Sequence, residues 1–153
     1  MMKKAGYVGV LGIIVAVIGV ATLQSRLPVG PVVLGLAFIP LAGIVIAKRT
    51  MRSAIPDLIF GAIDTGLLTI PALWGGAIFG VAGAIAGGVI GDALTDGIAG
   101  FFEGSIATWL RRKGIEESRE PINTALGKMA GCLAGSGLVL TCALIIGIRV
   151  RFL

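Results

Sequence analysis

Apolar residues fill this chain in long unbroken runs, and most of the charged residues fall between those runs. The first run, Ala5 to Leu23, follows Lys3 and Lys4; the second, Pro28 to Ala47, is closed by Lys48, Arg49 and Arg52. The third begins near Ile55-Pro56, where proline is acceptable as an early helical residue, and reaches about Leu73. Pro71, Trp74, Gly75 and Gly76 then predict a turn. The fourth stretch, Gly75 to Leu110, exceeds the roughly 20 residues of a perpendicular span, so it is expected to tilt, kink near Gly97 and Gly100, or project from the bilayer. A polar loop from Arg111 to Glu120 leads to Pro121 and the last run, Ile122 to Gly147. Pro40 is expected to kink or break the second helix. The pattern predicts an all-α integral membrane protein of about five transmembrane helices. Residues 1–53 would form a two-helix N-terminal membrane extension, and 54–153 a Gly-rich three-helix core. The first run is long for a signal-peptide core and further spans follow it, so it reads as an uncleaved first helix.

Composition narrows the class. Of 153 residues 56% are hydrophobic and only 14% charged, about half the charged share of a soluble domain. The 25 glycines are interleaved with Ile, Val, Leu and Ala, which excludes a disordered Gly-rich chain. Gly76, Gly80, Gly83, Gly87 and Gly91 recur at three and four, as do Gly127, Gly131 and Gly135. Such stripes let helix backbones approach closely, within a chain or between copies. The net charge of +5 does not point to nucleic acid, because the basic residues cluster between apolar runs without interleaved aromatics. With five spans, Lys3, Lys4, Lys48, Arg49, Arg52, Arg111, Arg112, Lys113 and Arg119 share one side, and only Arg26, Arg149 and Arg151 lie opposite. That imbalance predicts a cytoplasmic amino terminus. No Arg-rich amphipathic transit peptide opens the chain, so a prokaryotic plasma membrane is the expected location.

Cys132 and Cys142 stand ten apart in one helix, about 15 Å, and read as packing residues. The absence of His removes the commonest catalytic base and transition-metal ligand. No organic cofactor is expected.

The acids carry the candidate chemistry. Glu116, Glu117 and Glu120 lie in the polar loop, whereas Asp57, Asp64, Asp92, Asp96 and Glu103 fall inside the third and fourth runs. A carboxylate at mid-bilayer costs roughly 2.5 kcal/mol or more, so each needs a compensating partner. Asp57 and Asp64 are two turns apart; Asp92, Asp96 and Glu103 lie within about 40° of one another around their helix. A hairpin at Trp74-Gly75 would let the two stripes face each other, with Thr65, Thr69, Thr95 and Ser105 adding oxygens. An all-oxygen set suits Ca²⁺, Mg²⁺ or Na⁺. The structural alternatives are a helix-dipole role for Asp57, a snorkelling Glu103, and a salt bridge from Lys128 to the remaining acids.

Three stretches resemble the transmembrane protein 65 family of the mitochondrial inner membrane. Phe60-Gly61-Ala62-Ile63-Asp64-Thr65 is similar to its Phe-Gly-x-x-Asp-Asn, and Gly91-Asp92-Ala93-Leu94-Thr95-Asp96 to its Gly-Asn-x-x-Ser-Asp. Leu126-Gly127-Lys128-Met129-Ala130-Gly131 is similar to its Gly-Lys-x-x-Gly. The resemblance spans about Ile55 to Gly147 and implies a three-helix core tied to sodium-dependent calcium efflux, as exchanger or regulator. It implies ion-handling roles for Asp64 and Asp96, with Asp92 in place of a family Asn. Thr65 also departs from the family, standing for an Asn, and Glu103 falls about one turn from the family's acid.

The expectation is therefore a cation transporter exchanging Na⁺ for Ca²⁺, working as a homo-oligomer, a dimer most simply, packed along the glycine stripes. Its metal ligands would be Asp57, Asp64, Thr65, Asp92, Thr95, Asp96 and Glu103. The alternative is a non-transporting accessory or scaffold protein whose acids hold helices together. An enzyme is not expected: Asp92-x-x-x-Asp96-Gly97 has a faint likeness to lipid phosphotransferase metal motifs but lacks their longer acidic pattern.

Overall fold

The computed structural model describes residues 2–25, 27–114 and 120–147, without the side chains of 2, 3, 99–104, 106 and 107, and every regular element in it is a helix. These are α1 (Met2–Gln24), α2 (Val29–Leu36), α3 (Phe38–Ile46), α4 (Met51–Arg112) and α5 (Pro121–Ile145). Four stretches are long and apolar enough to cross a membrane: Lys4–Gln24, Val29–Ile46, Met51–Ile98 and Pro121–Ile145.

Local chemistry sets the breaks. α2 and α3 part at Ala37, whose N–H bonds back to Leu34 in a tight 3.2 Å turn. Pro40 causes this: it has no N–H for the Leu36 carbonyl, and its ring crowds that oxygen. α4 starts at Met51, about one turn before the sequence reading, with Pro56 and Pro71 inside it. It continues through Trp74, Gly75 and Gly76, where a turn was expected, and reverses instead at Gly80, with φ 63° and ψ −146°. That backbone region is open essentially to glycine alone, whereas Gly75 and Gly76 need no such conformation and stay helical. The reversal shortens a 48-residue apolar stretch into two arms, 51–79 and 81–112, each close to bilayer thickness or longer. No break occurs at Gly97 or Gly100, because α4 stays helical to Arg112.

Glycines set the seams. The two arms run antiparallel, with Gly75 against Gly83, Gly87 against Pro71, and Gly91 against Leu68 and Pro71. α5 runs parallel to the first arm: Gly127 meets Ala54 and Asp57, Gly131 meets Leu58 and Ala62, and Gly135 meets Ala62. On its other side α5 runs antiparallel to α2, with Gly30 against Leu140 and Thr141, and Gly137 against Leu34. A methyl added at Gly83, Gly87, Gly131 or Gly135 would collide with a backbone carbonyl of the facing helix. Both glycine stripes are thus consumed inside one chain, which corrects their expected use as the seam of an oligomer.

Large side chains interdigitate at one end only. Ile44, Ala54, Ile122 and Leu126 form a buried cluster, flanked by Tyr7, Val8, Leu11, Leu41 and Ala47. The Tyr7 hydroxyl donates to the Gly43 carbonyl at 2.9 Å, tying α1 to α3. Elsewhere the large apolar side chains point outward: Phe38, Trp74, Phe79 and Ile145 are each at least 70% exposed. In water such a surface would aggregate; against lipid tails it is the required one.

Candidate functional site in the α4 hairpin

Asp64 lies 13 residues into α4, about 20 Å from its start and close to the middle of the first arm. Its carboxylate is half-buried, and the Oδ1 atom is enclosed without a hydrogen-bond partner. Extending the register of Pro71 with Gly87 and Leu68 with Gly91 places Asp64 level with Thr95 on the second arm. Thr95 is buried, and its hydroxyl donates at 3.1 Å to the Asp92 carbonyl one turn back. One turn above Asp64, the Thr69 and Ser136 hydroxyls sit 2.9 Å apart, and both reach the Thr65 carbonyl at 2.6 and 3.3 Å. A ladder of oxygens therefore runs beside Asp64 between the first arm and α5. Ser136 is the member that sequence reasoning missed: it carries no charge, lies 71 residues from Thr65, and only the parallel packing of α5 brings it there.

The other acids go elsewhere. Asp57 is 3% exposed and packs beside Gly127 on the α5 face. Because α4 begins at Met51, Asp57 sits in the second turn, and the first turn contains no acid. Its expected helix-dipole role is thereby lost, since that effect fades within the first turn. Asp92 and Asp96 are exposed. The second arm meets the first through Gly83, Gly87 and Gly91, and helix geometry turns Asp92 and Asp96 roughly 100–140° away from that line. The two acidic stripes therefore do not face each other, as a hairpin had been expected to make them do. Among the described residues no three acids or cysteines gather closely enough to hold a metal ion. Glu103 is helical, but its side chain lies outside the described residues, as do Glu116 and Glu117.

Lys128 does not fill the expected salt-bridge role within the chain. Its Nζ lies 4.9 Å from the centre of the Phe60 ring, and the ion pairs present join Lys4 and Arg49 to Glu120 instead. A cation over an aromatic face keeps a lysine tolerable near lipid without neutralising an acid. Cys132 and Cys142 are free thiols.

Comparison with protein-family models, characterised proteins and solved structures returns no match to this chain.

Proposed function

We propose that the protein moves cations across a membrane through the α4 hairpin, with exchange of Na⁺ for Ca²⁺ as the specific reaction. The observation that carries this reading is Asp64: a carboxylate oxygen enclosed at mid-arm with no donor beside it. Such an oxygen is costly to bury and is a hard ligand for a hard cation. Backbone and hydroxyl oxygens from Thr65, Thr69, Thr95 and Ser136 supply further ligands at or near the same depth.

Asp92 and Asp96 extend the reading to a dimer. Exposed carboxylates at this depth would cost roughly 2.5 kcal/mol each against lipid, so a second copy covers them and completes the ligand set. The dimer seam is then the acidic outer face of the second arm, since the glycine stripes are occupied. Counting the reversal at Gly80, the chain makes five passes. Lys4, Arg49, Arg52 and Arg111 belong to one end of the bundle and place the amino terminus in the cytoplasm, in a prokaryotic plasma membrane.

The accessory or scaffold reading is favoured by a different observation, the absence of a three-acid group among the described residues. Flux decides between them. Purified protein in liposomes is loaded with Na⁺ and given ⁴⁵Ca²⁺ outside. Transport that Asp64→Asn abolishes, with folding and oligomer size unchanged, is the expected result. Parent-like flux in Asp64→Asn removes the assigned site, and a parent that moves no Ca²⁺, Mg²⁺ or Na⁺ under any gradient leaves the scaffold reading.

A further inference from the structure

A cavity of about 420 Å³ opens at the basic end of the bundle, away from the acidic residues of the hairpin. It is lined by Thr50, Arg52, Ser53, Arg111 and Gly114, so it joins the start of α4 to the turn that follows its end. The Arg52 guanidinium lies against that turn, where a methyl added to Gly114 would stand 3.6 Å from Nη2. Among the described residues Arg52 makes no ion pair. The nearest described acid, Glu120, is taken by Lys4 and Arg49.

The backbone adds to the positive potential. α4 and α5 run parallel and start together, tied by Asn123, whose amide donates to Ser53 Oγ at 2.6 Å and to the Thr50 carbonyl at 3.3 Å. Two positive helix ends therefore lie side by side, and neither helix has an acid in its first turn. Thr50 does not cap α4 through its side chain, and the Ser53 hydroxyl turns back to the Thr50 carbonyl at 2.8 Å. The first N–H groups of α4 are left to a ligand or to water.

We propose that this cavity is a binding site for a phosphate group, held by the forked guanidiniums of Arg52 and Arg111 at the cytoplasmic membrane surface. Arginine pairs with phosphate oxygens bidentately, and basic pockets between helices at this depth suit anionic headgroups. The same chemistry serves an anionic phospholipid or a soluble phosphate, and the volume falls within the usual range of small-ligand sites.

The test uses the full chain in neutral detergent. Phosphatidylglycerol, phosphatidic acid and phosphatidylcholine are titrated by native mass spectrometry, and inorganic phosphate by melting temperature. Anionic lipids should bind roughly tenfold more tightly than phosphatidylcholine, and Arg52→Gln should remove about that factor. Arg112→Gln removes the same charge from outside the cavity lining and should change binding less than about twofold. Inorganic phosphate that raises the melting temperature of the parent but not of Arg52→Gln, with no preference among lipids, supports the site with a soluble ligand. Equal weakening by Arg112→Gln and Arg52→Gln would show attraction to surface charge alone and overturn the proposal. So would anions that bind no better than phosphatidylcholine or chloride. Arg52→Lys guards against a misfolded glutamine variant: it keeps the charge, loses the fork, and parent-like affinity in it also overturns the proposal.

Discussion

The two ends of the bundle are built by different physics. At the basic end, Ile44, Ala54, Ile122 and Leu126 interlock, Asn123 bridges α5 to α4, and Glu120 collects Lys4 and Arg49. At the other end, where α4 turns at Gly80, Trp74 and Phe79 face outward, and the arms meet through the backbones of Gly75 and Gly83. The basic end has water beside it, so burying apolar area and pairing charges both stabilise it. Within the bilayer, lipid is as apolar as leucine, and helices gain little by hiding large side chains from it. What remains is close backbone approach, with dispersion and Cα–H···O contacts along a glycine seam. Adding atoms to a seam should therefore hurt more than removing large side chains from the outside.

The largest effect expected is from Gly131→Leu. Its first added carbon meets the Leu58 carbonyl and the Ala62 nitrogen, neither of which is a flexible side-chain end. The helices must separate, at about 1–3 kcal/mol or more, and the thermal unfolding temperature in detergent should fall well below the parent's. Gly83→Leu should do the same to the hairpin seam, where the obstacle is the Gly75 carbonyl. Gly19→Leu has nothing within 4 Å and Phe79→Ala removes a side chain that is 72% exposed, so both should melt close to the parent. A parent-like melt for Gly131→Leu, or a steep loss for Phe79→Ala, would break the contrast between the two ends.

A smaller loss is expected from Gly80→Ala. Nothing lies within 4 Å of an added methyl, so the cost is conformational, about 1–3 kcal/mol for a side chain held at φ 63° and ψ −146°. Asparagine commonly substitutes for glycine in the left-handed helical region, but that region has ψ near +47°. Gly80→Asn should therefore destabilise as much as Gly80→Ala. Rescue by asparagine would mean that the reversal relaxes to an ordinary left-handed turn.

Much of this was legible in the chain because long apolar runs and their basic borders state a membrane helix directly. The span from Pro121 and the break caused by Pro40 needed only local rules. The turn was misplaced because Trp74, Gly75 and Gly76 carry the composition of a turn, whereas Gly80 is one glycine in a regular stripe. Only the pairing of the arms shows which glycine must leave the helix. The site was legible in part. Asp64 stood out as an acid in an apolar run, but Ser136 is a neutral residue made relevant by parallel packing with Thr65. The outward turn of Asp92 and Asp96 was hidden for a related reason. Their mutual spacing defines a stripe, while its direction depends on which glycines the facing arm selects. The cavity beside Arg52 joins residues about sixty positions apart, so its arginines read in sequence only as topology signals.

The smallest effect expected lies at the surface of the basic end, in Glu120. The hydrogen bond from Lys4 at 2.8 Å holds its carboxyl below the ordinary value of 4.5, with Arg49 adding a second attraction against a small opposing effect of burial. A depressed folded-state pKa means that the unfolded chain binds the proton first as acid is added. The contribution to stability is therefore fully present above pH 4.5 and is lost as pH falls through the lower, folded value. Glu120→Gln should show a small loss of thermal stability at pH 7, shrinking toward zero in acid and also in high salt, because exposed pairs are screened. The pair closes α1 onto the start of α5, so the loss should appear as earlier detachment of α1 and be read best by hydrogen exchange in its first turns. A loss in Glu120→Gln that persists unchanged at pH 3 and in molar salt would assign the residue a packing role instead. That outcome would shift the stability of the basic end from charge pairing to the cluster around Leu126.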